Sequence, residues 1–244
     1  DYAVLGEPAA TTISAKTGKS ILLDLQKAFA DVHPEVNFVQ AGLFATNSVT
    51  AHSAYLNALA DKLSQNAAYV SDNISSLKDI FTEADSTLKN VSFTAELINR
   101  CNIGFKKAGD VKADVVEFLN TVKEYNPKQI GGKLPEDDFY YDYGAENSDD
   151  YKKTTFTIGV VDGAPSLAVT NIINGFVFTD GDVTIKTEVS LRGGAEDIKS
   201  GLINGDFDMA IAPLNMASSL YNAKGELGIR LLSVNIFGCL YLIG

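Results

Sequence analysis

Beyond Thr154 the apolar positions alternate between two periods. TFTIGVV, VTIKTEVS and DMAIAP carry the alternation or short apolar runs of strands, whereas SLAVTNIING, AEDIKSGLING and LNMASSLYNAKG space their apolar residues as helices do. Gly175 and Gly205 stand where the first two helical patterns should stop. IRLLSVNIFGCLYLI closes the chain as one long strand region. Repeated βα units of this length predict an α/β fold, a doubly wound and mainly parallel sheet with right-handed crossovers.

The first half has a different texture. DYAVLG predicts a short strand, EPAATTISAKTG a helix, KSILLDL a strand, and residues 36–46 a further strand. Helices are then predicted over 50–70, 75–89, 93–100 and 110–125. In the last of these Val115, Phe118, Leu119 and Val122 make an amphipathic stripe that Asn126-Pro127 ends. Residues 128–153 lose hydrophobic periodicity and gather Gly, Pro and acids, which predicts a surface tail and linker. Its aromatic cluster, Phe139, Tyr140, Tyr141 and Tyr143, reads as a pin holding the tail to the body or as a ligand lid. The boundaries expected are 1–20, 21–148, a linker at 149–153, and 154–244.

Charge narrows the function. The 244 residues hold 31 acidic and 20 basic side chains, a net −11, with no basic stripe of the kind a phosphate backbone requires, so no nucleic-acid partner is expected. No apolar run reaches the roughly 20 residues that span a bilayer. Cys101 and Cys239 are far apart and lack CxxC spacing, which leaves buried free thiols or a single disulfide as readings; no metal or cofactor is expected. GxSxG, GxxxxGK[ST], HExxH and GxGxxG are absent, and neither His33 nor His52 lies beside a nucleophile signature. The chemistry expected is binding.

In an open α/β sheet, ligands settle outside the carboxyl ends of the strands, facing helix N-termini whose first amides lack intrahelical acceptors. Three junctions suit that place: Asp162-Gly163-Ala164-Pro165-Ser166, Arg192-Gly193-Gly194-Ala195 and Ala212-Pro213-Leu214-Asn215. The strand ending near Asn235 offers a fourth position.

DGAPSLAV, SGLINGDFDMAIAPLNMASSLYN and VNIFGCLYLIG, together with DYAVLGEPAATT, INRCNIGF and VVEFLNTVKEYNPKQIGGKLPEDDFYY, resemble ABC-transporter solute-binding proteins of the nitrate-, sulfonate- and thiamine-pyrimidine-binding group. The likeness covers most of residues 1–45, 77–143 and 154–244. Its order is changed: the GEP part comes first here and the DGAP part last, as in a circularly permuted chain lacking most of a second lobe. The resemblance implies a periplasmic-binding-protein-like lobe at 154–244 with C-terminal-type helices from 21–148, a remnant of the second lobe at 1–20, and ligand capture between lobes that close on a hinge. It implies ligand contacts from Gly163, Ala164, Pro165, Ser166, Asn215 and Asn235, and from Glu7 and Thr11 on the second-lobe side. Glu7 reads equally as a carboxylate complementing a helix dipole.

The function implied is the solute-binding component, or a lobe fragment, of an ABC importer. Its partners are a small polar molecule and a membrane permease, and its place is extracytoplasmic, periplasmic or lipid-anchored at the cell surface. The alternative is a thiamine-pyrimidine-synthase-like enzyme of the same fold. That class relies on a cysteine-rich motif and a reactive Lys and His, which this sequence does not offer, so no enzyme is expected. A regulator's effector domain would need a helix-turn-helix module, for which the acidic composition leaves no place.

Overall fold

The computed structural model describes residues 2–145, 153–223 and 227–244, so residues 149–152 of the expected linker lie outside the described residues. Two sheets organise the chain. The larger has seven strands and is built around the most apolar segments: β3 (Ala41–Ala45), β4 (Ile103–Lys107), β5 (Thr155–Val161), β6 (Phe176–Asp180), β7 (Val183–Arg192), β8 (Met209–Pro213) and β9 (Arg230–Ile236). Their order is β4-β9-β3-β8-β5-β7-β6.

The α/β class holds, but the sheet is mixed. Among the described residues only the strand pairs β5–β7 and β5–β8 are parallel; β3 pairs antiparallel with both β8 and β9, and β4–β9 and β6–β7 are also antiparallel. β3 lies between β8 and β9, so a strand from the first half of the sequence divides those of the second. Parallel order therefore survives only in the β8-β5-β7 stretch.

Alternation along the central strands sends side chains to two cores. Leu43, Ile158, Val160 and Ile211 face one, with Tyr55, Leu56 and Leu59 of α4 (Ser53–Ser64). Phe44, Ala210 and Ala212 face the other, with Val115 and Leu119 of α8 (Lys112–Tyr125), Ile198 and Leu202 of α10 (Ala195–Asn204) and Leu214 and Ala217 of α11 (Leu214–Asn222). Each fully buried side chain of this size contributes about 1.5–3 kcal/mol, and helices cover both faces of the sheet. Close approach sets one position inside the sheet. A Cβ on Gly42 would lie 2.3 Å from the carbonyl oxygen of Ser233, so only glycine lets β3 and β9 meet there.

The smaller sheet is antiparallel, β1 (Ala3–Gly6), β10 (Leu240–Ile243) and β2 (Ile21–Asp24), in the order β1-β10-β2. Ala3 pairs with Ile243, and Ser20 and Gly244 exchange backbone hydrogen bonds, so both ends of the sequence meet in this sheet. It also draws on Ile21–Asp24 and Leu240–Ile243, beyond the expected bounds of 1–20. Ala10 of α1 (Ala9–Thr17) packs against Tyr241 and Ile243 beneath one face.

The long closing strand region is thus two strands in two sheets. Gly238, with φ 97°, breaks it at a point where a Cβ would meet the Gln26 side chain at 2.1 Å. The helix expected over SLAVTNIING is shorter too. α9 (Ala164–Leu167) stops after four residues, and a separate 3-10 turn covers Thr170–Ile172. The aromatic cluster of the tail pins it to the body: Phe139, Tyr140 and Tyr141 are buried, and Tyr141 N donates to Leu231 O. Among the described residues no helix is long and apolar enough to cross a membrane.

Candidate functional site

β5 ends at Val161, and the chain turns through Asp162 and Gly163 directly into α9. Across from this turn, the β1–α1 junction presents Gly6, Glu7, Pro8 and Ala9, joined by a cis Glu7–Pro8 peptide. Between them lies a cavity of about 480 Å³, closed on a third side by Thr87, Leu88 and Val91 and floored by Gln40 and Cys239. That volume suits a small metabolite. Gln40 precedes β3 and Cys239 follows β9, so the cavity sits at the edge of the large sheet where β5 and β9 end, facing the small sheet.

Hydrogen bonds hold each wall. The Glu7 side chain is fully buried; its Oε2 accepts from Thr11 N at 3.0 Å and its Oε1 from Thr11 Oγ1 at 2.5 Å. Arg100 Nη1 stands 4.0 Å from Glu7 Oε1 and donates to Thr11 Oγ1 at 3.3 Å. Glu7 N donates to Cys239 O at 2.9 Å, which ties the junction to the segment between the two sheets. Glu7 therefore occupies the N-terminus of α1 itself, satisfying an amide that the helix leaves open and complementing its dipole.

Asp162 does the same for the third wall. Its Oδ1 accepts from Ser86 Oγ at 2.5 Å and its Oδ2 from Thr87 N at 2.7 Å, fixing the 3-10 turn Thr87–Asn90 beside the cavity. Ser166 Oγ lies 3.4 Å from Gly163 N, 3.3 Å from Val161 O and 3.4 Å from Asp162 Oδ1, so it braces the turn from beneath. Gln40 Oε1 accepts from Cys239 N at 3.0 Å; that donor fixes which end of the amide is oxygen and leaves Nε2 as a side-chain donor of the lining. Burial pushes the Cys239 thiol up to about 11 and the Cys101 thiol higher still; both are free.

Four of the residues expected at the site, Glu7, Gly163, Ala164 and Pro165, line this cavity. Thr11 and Ser166 lie behind the lining, holding Glu7 and the β5–α9 turn in place. Asn215 is not part of it. Its Nδ2 is 3.5 Å from Gln129 Oε1, because β8 delivers α11 onto the face covered by α8. Asn235 is fully buried within the sheet, where Oδ1 accepts from Leu43 N and Ser233 Oγ; its Nδ2 has no partner among the described residues. The Gly193–Gly194 junction after β7 does not line the cavity either. The expected convergence of several helix openings thus reduces to the β5–α9 turn, met by the β1–α1 junction.

No protein-family model, curated protein or solved structure matches this chain.

Sequence reasoning missed Gln40, Thr12, Ile13, Leu88, Val91 and Cys239 as lining residues. Ser86-Thr87 carried the only local signal, a Ser ahead of a helical turn, and nothing near it pointed to Asp162 about 75 positions away.

Proposed function

We propose that this chain is the solute-binding component, or a lobe fragment, of an ABC importer, capturing a small polar molecule at the carboxyl edge of the sheet and delivering it to a membrane permease outside the cytoplasm. The observation that carries the reading is the position of the cavity: it lies where β5 and β9 end, between the large sheet and a separate small one, the place where a two-lobed binding protein holds its ligand. The strand order supports the lobe that the sequence resembles, since β7, β5, β8 and β9 all run one way with β3 reversed among them.

The lining supports binding without turnover. Among the described residues its ionisable groups are Glu7, Asp162 and Cys239. Both carboxylates are engaged in backbone and hydroxyl hydrogen bonds, and the thiol stays protonated at neutral pH, so no activated nucleophile faces the space.

A metabolite screen by thermal shift tests the proposal. A solute held in this cavity stabilises the fold by about 2.7 kcal/mol at a concentration 100 times its Kd, or several degrees in Tm. Ala9 lies exposed on the cavity rim, so Ala9→Trp fills the space without touching the core. The expected result is a hit recovered unchanged by mass spectrometry and lost in Ala9→Trp. Conversion of the hit to product, or binding indifferent to Ala9→Trp, would contradict the reading.

A further inference from the structure

Among the described residues ten large apolar side chains stand exposed, and four of them, Tyr2, Val4, Leu22 and Leu23, lie on or beside the strands of the small sheet. The other six are dispersed, each on a different element, so only here does exposure gather into a face. Register makes that face continuous. Val4 pairs with Leu242 and Leu242 with Leu23, which sets these three in one row across the sheet. Tyr2 and Leu22 form the next row over Gly244, where a Cβ would lie 2.5 Å from the Tyr2 ring and 2.9 Å from Leu22 Cδ1. β2 reaches both rows through a bulge. Its pairing with β10 skips Leu22, so Leu22 and Leu23 both stay exposed, while Ile21 packs with Ile243 and Ala10 on the opposite face.

We propose that this face is the contact between two copies of the chain, which pair small sheet against small sheet about a two-fold axis. Charge favours a second copy as the occupant. Two chains of net −11 repel each other over most approaches, but the three strands hold a single charged residue, Asp24. That carboxylate is engaged at the N-terminus of α2 (Leu25–Val32), where it accepts from Lys27 N and Gln26 Nε2. A charged partner would find nothing here to pair with, whereas an identical face meets it without like charges. Area agrees. Exposures of 76% for Tyr2, 54% for Val4, 51% for Leu22 and 43% for Leu23 leave on the order of 400 Å² of apolar surface, the size at which a patch marks an interaction site. Stacking two such sheets about 10 Å apart removes roughly twice that, and with Leu242 and the surrounding backbone about 1,000–1,200 Å², the low end for a specific interface.

Sedimentation velocity of the 244-residue chain between about 1 and 300 µM tests this. The expected result is a mass that climbs from one chain towards two across that range. Leu23→Glu and Val4→Lys place a charge on the face at side chains that are already exposed, so each should raise the dissociation constant at least about tenfold with the melt unchanged. Val177→Glu, on the exposed side of the edge strand β6, is the control for the competing surface and should leave the constant within about twofold. In the unmutated chain the amide shifts of Val4, Leu23 and Leu242 should move on dilution, a readout that needs no variant to fold.

A single-chain mass at every concentration would overturn the pairing and leave the face to a different partner. A dimer that survives both Leu23→Glu and Val4→Lys, or that only Val177→Glu breaks, would place the contact elsewhere and overturn it too. Dilution shifts that leave Val4, Leu23 and Leu242 still would do the same. The cavity is lined by α1, which packs on the opposite face of the small sheet, so self-association and solute binding are tested separately.

Discussion

Asp162→Ala perturbs the fold at the cavity wall in a way whose size follows from its bonds. The carboxylate accepts from Ser86 Oγ at 2.5 Å and from Thr87 N at 2.7 Å. Ser86 is fully buried, so its hydroxyl loses this acceptor with no water to replace it, whereas the exposed Thr87 amide can turn to solvent. A hydrogen bond to a charged group contributes about 1.5–3 kcal/mol, and an orphaned buried donor costs a comparable amount. Counting Ser86 in full and Thr87 in small part gives a loss of about 2–4 kcal/mol. For a chain of this size each kcal/mol moves Tm by about 2–4 °C, so the melt should fall by about 4–16 °C.

Asp162→Asn retains one acceptor oxygen and should lose less than half as much. Urea unfolding of Asp162→Ala, Ser86→Ala and the double variant closes a cycle whose coupling should be about 1–2 kcal/mol. A Tm within about 1 °C of the parent for Asp162→Ala, or additive single effects, would refute the argument that this carboxylate fastens the turn.

Other consequences are as specific. Gly42→Ala should destabilise by about 1–3 kcal/mol in urea, because the new methyl meets the Ser233 carbonyl at 2.3 Å; an unchanged midpoint would show that β3 and β9 separate freely. Asn235→Leu should cost about 2–4 kcal/mol through the stranded Leu43 amide and Ser233 hydroxyl, yet leave ligand affinity within about twofold, since the residue serves the sheet and not the cavity. The thiols give a pH dependence. Burial raises Cys239 from 9.0 to about 11 and Tyr140 from 10.0 to about 12, and Cys101 also shifts upward. These groups are neutral when protonated, and the unfolded chain releases their protons first. Their contribution is therefore complete below about pH 9 and lost as pH climbs through the folded-state values. Urea midpoints should be level from pH 7 to about 8.5 and fall above about 9; a level profile to pH 11 would contradict the burial.

How far the sequence revealed the fold depended on whether a segment's partners were local. AEDIKSGLING predicted its own helix and its own stop: α10 ends at Gly205, which sits at φ 79°. TFTIGVV and VTIKTEVS became β5 and β7, paired in parallel as expected. Other strands were hidden. The helix predicted over 93–100 stopped short of Ile103–Lys107, which no pattern assigned; this segment is β4, because its backbone pairs with β9 about 130 residues away. FVFTDGDVT held a hairpin signal at Asp180-Gly181-Asp182 that pattern reading passed over; β6 and β7 pair around it. Mixed sheet direction was not legible at all, since nothing within AGLFA records that it will enter between β8 and β9 in reverse.

The site followed the same rule. Gly163, Ala164 and Pro165 were visible because a strand stopped abruptly before a helix, and the resemblance pointed to Glu7. Asn215 lies apart from the cavity because a helix opening at a strand's end says nothing about which face of the sheet the helix will cover. Asn235 also lies apart from the cavity, because a buried asparagine can serve its own sheet, here by accepting from Leu43 and Ser233.

The most direct test of a solute cavity between the two sheets is an amide chemical-shift map of the protein titrated with the hit from the metabolite screen. The account predicts saturable shifts at Glu7, Ile13, Leu88, Gly163 and Ala164, with Asn215 and Gln129 unmoved. Shifts centred on Asn215 and Gln129, with those five amides silent, would contradict it.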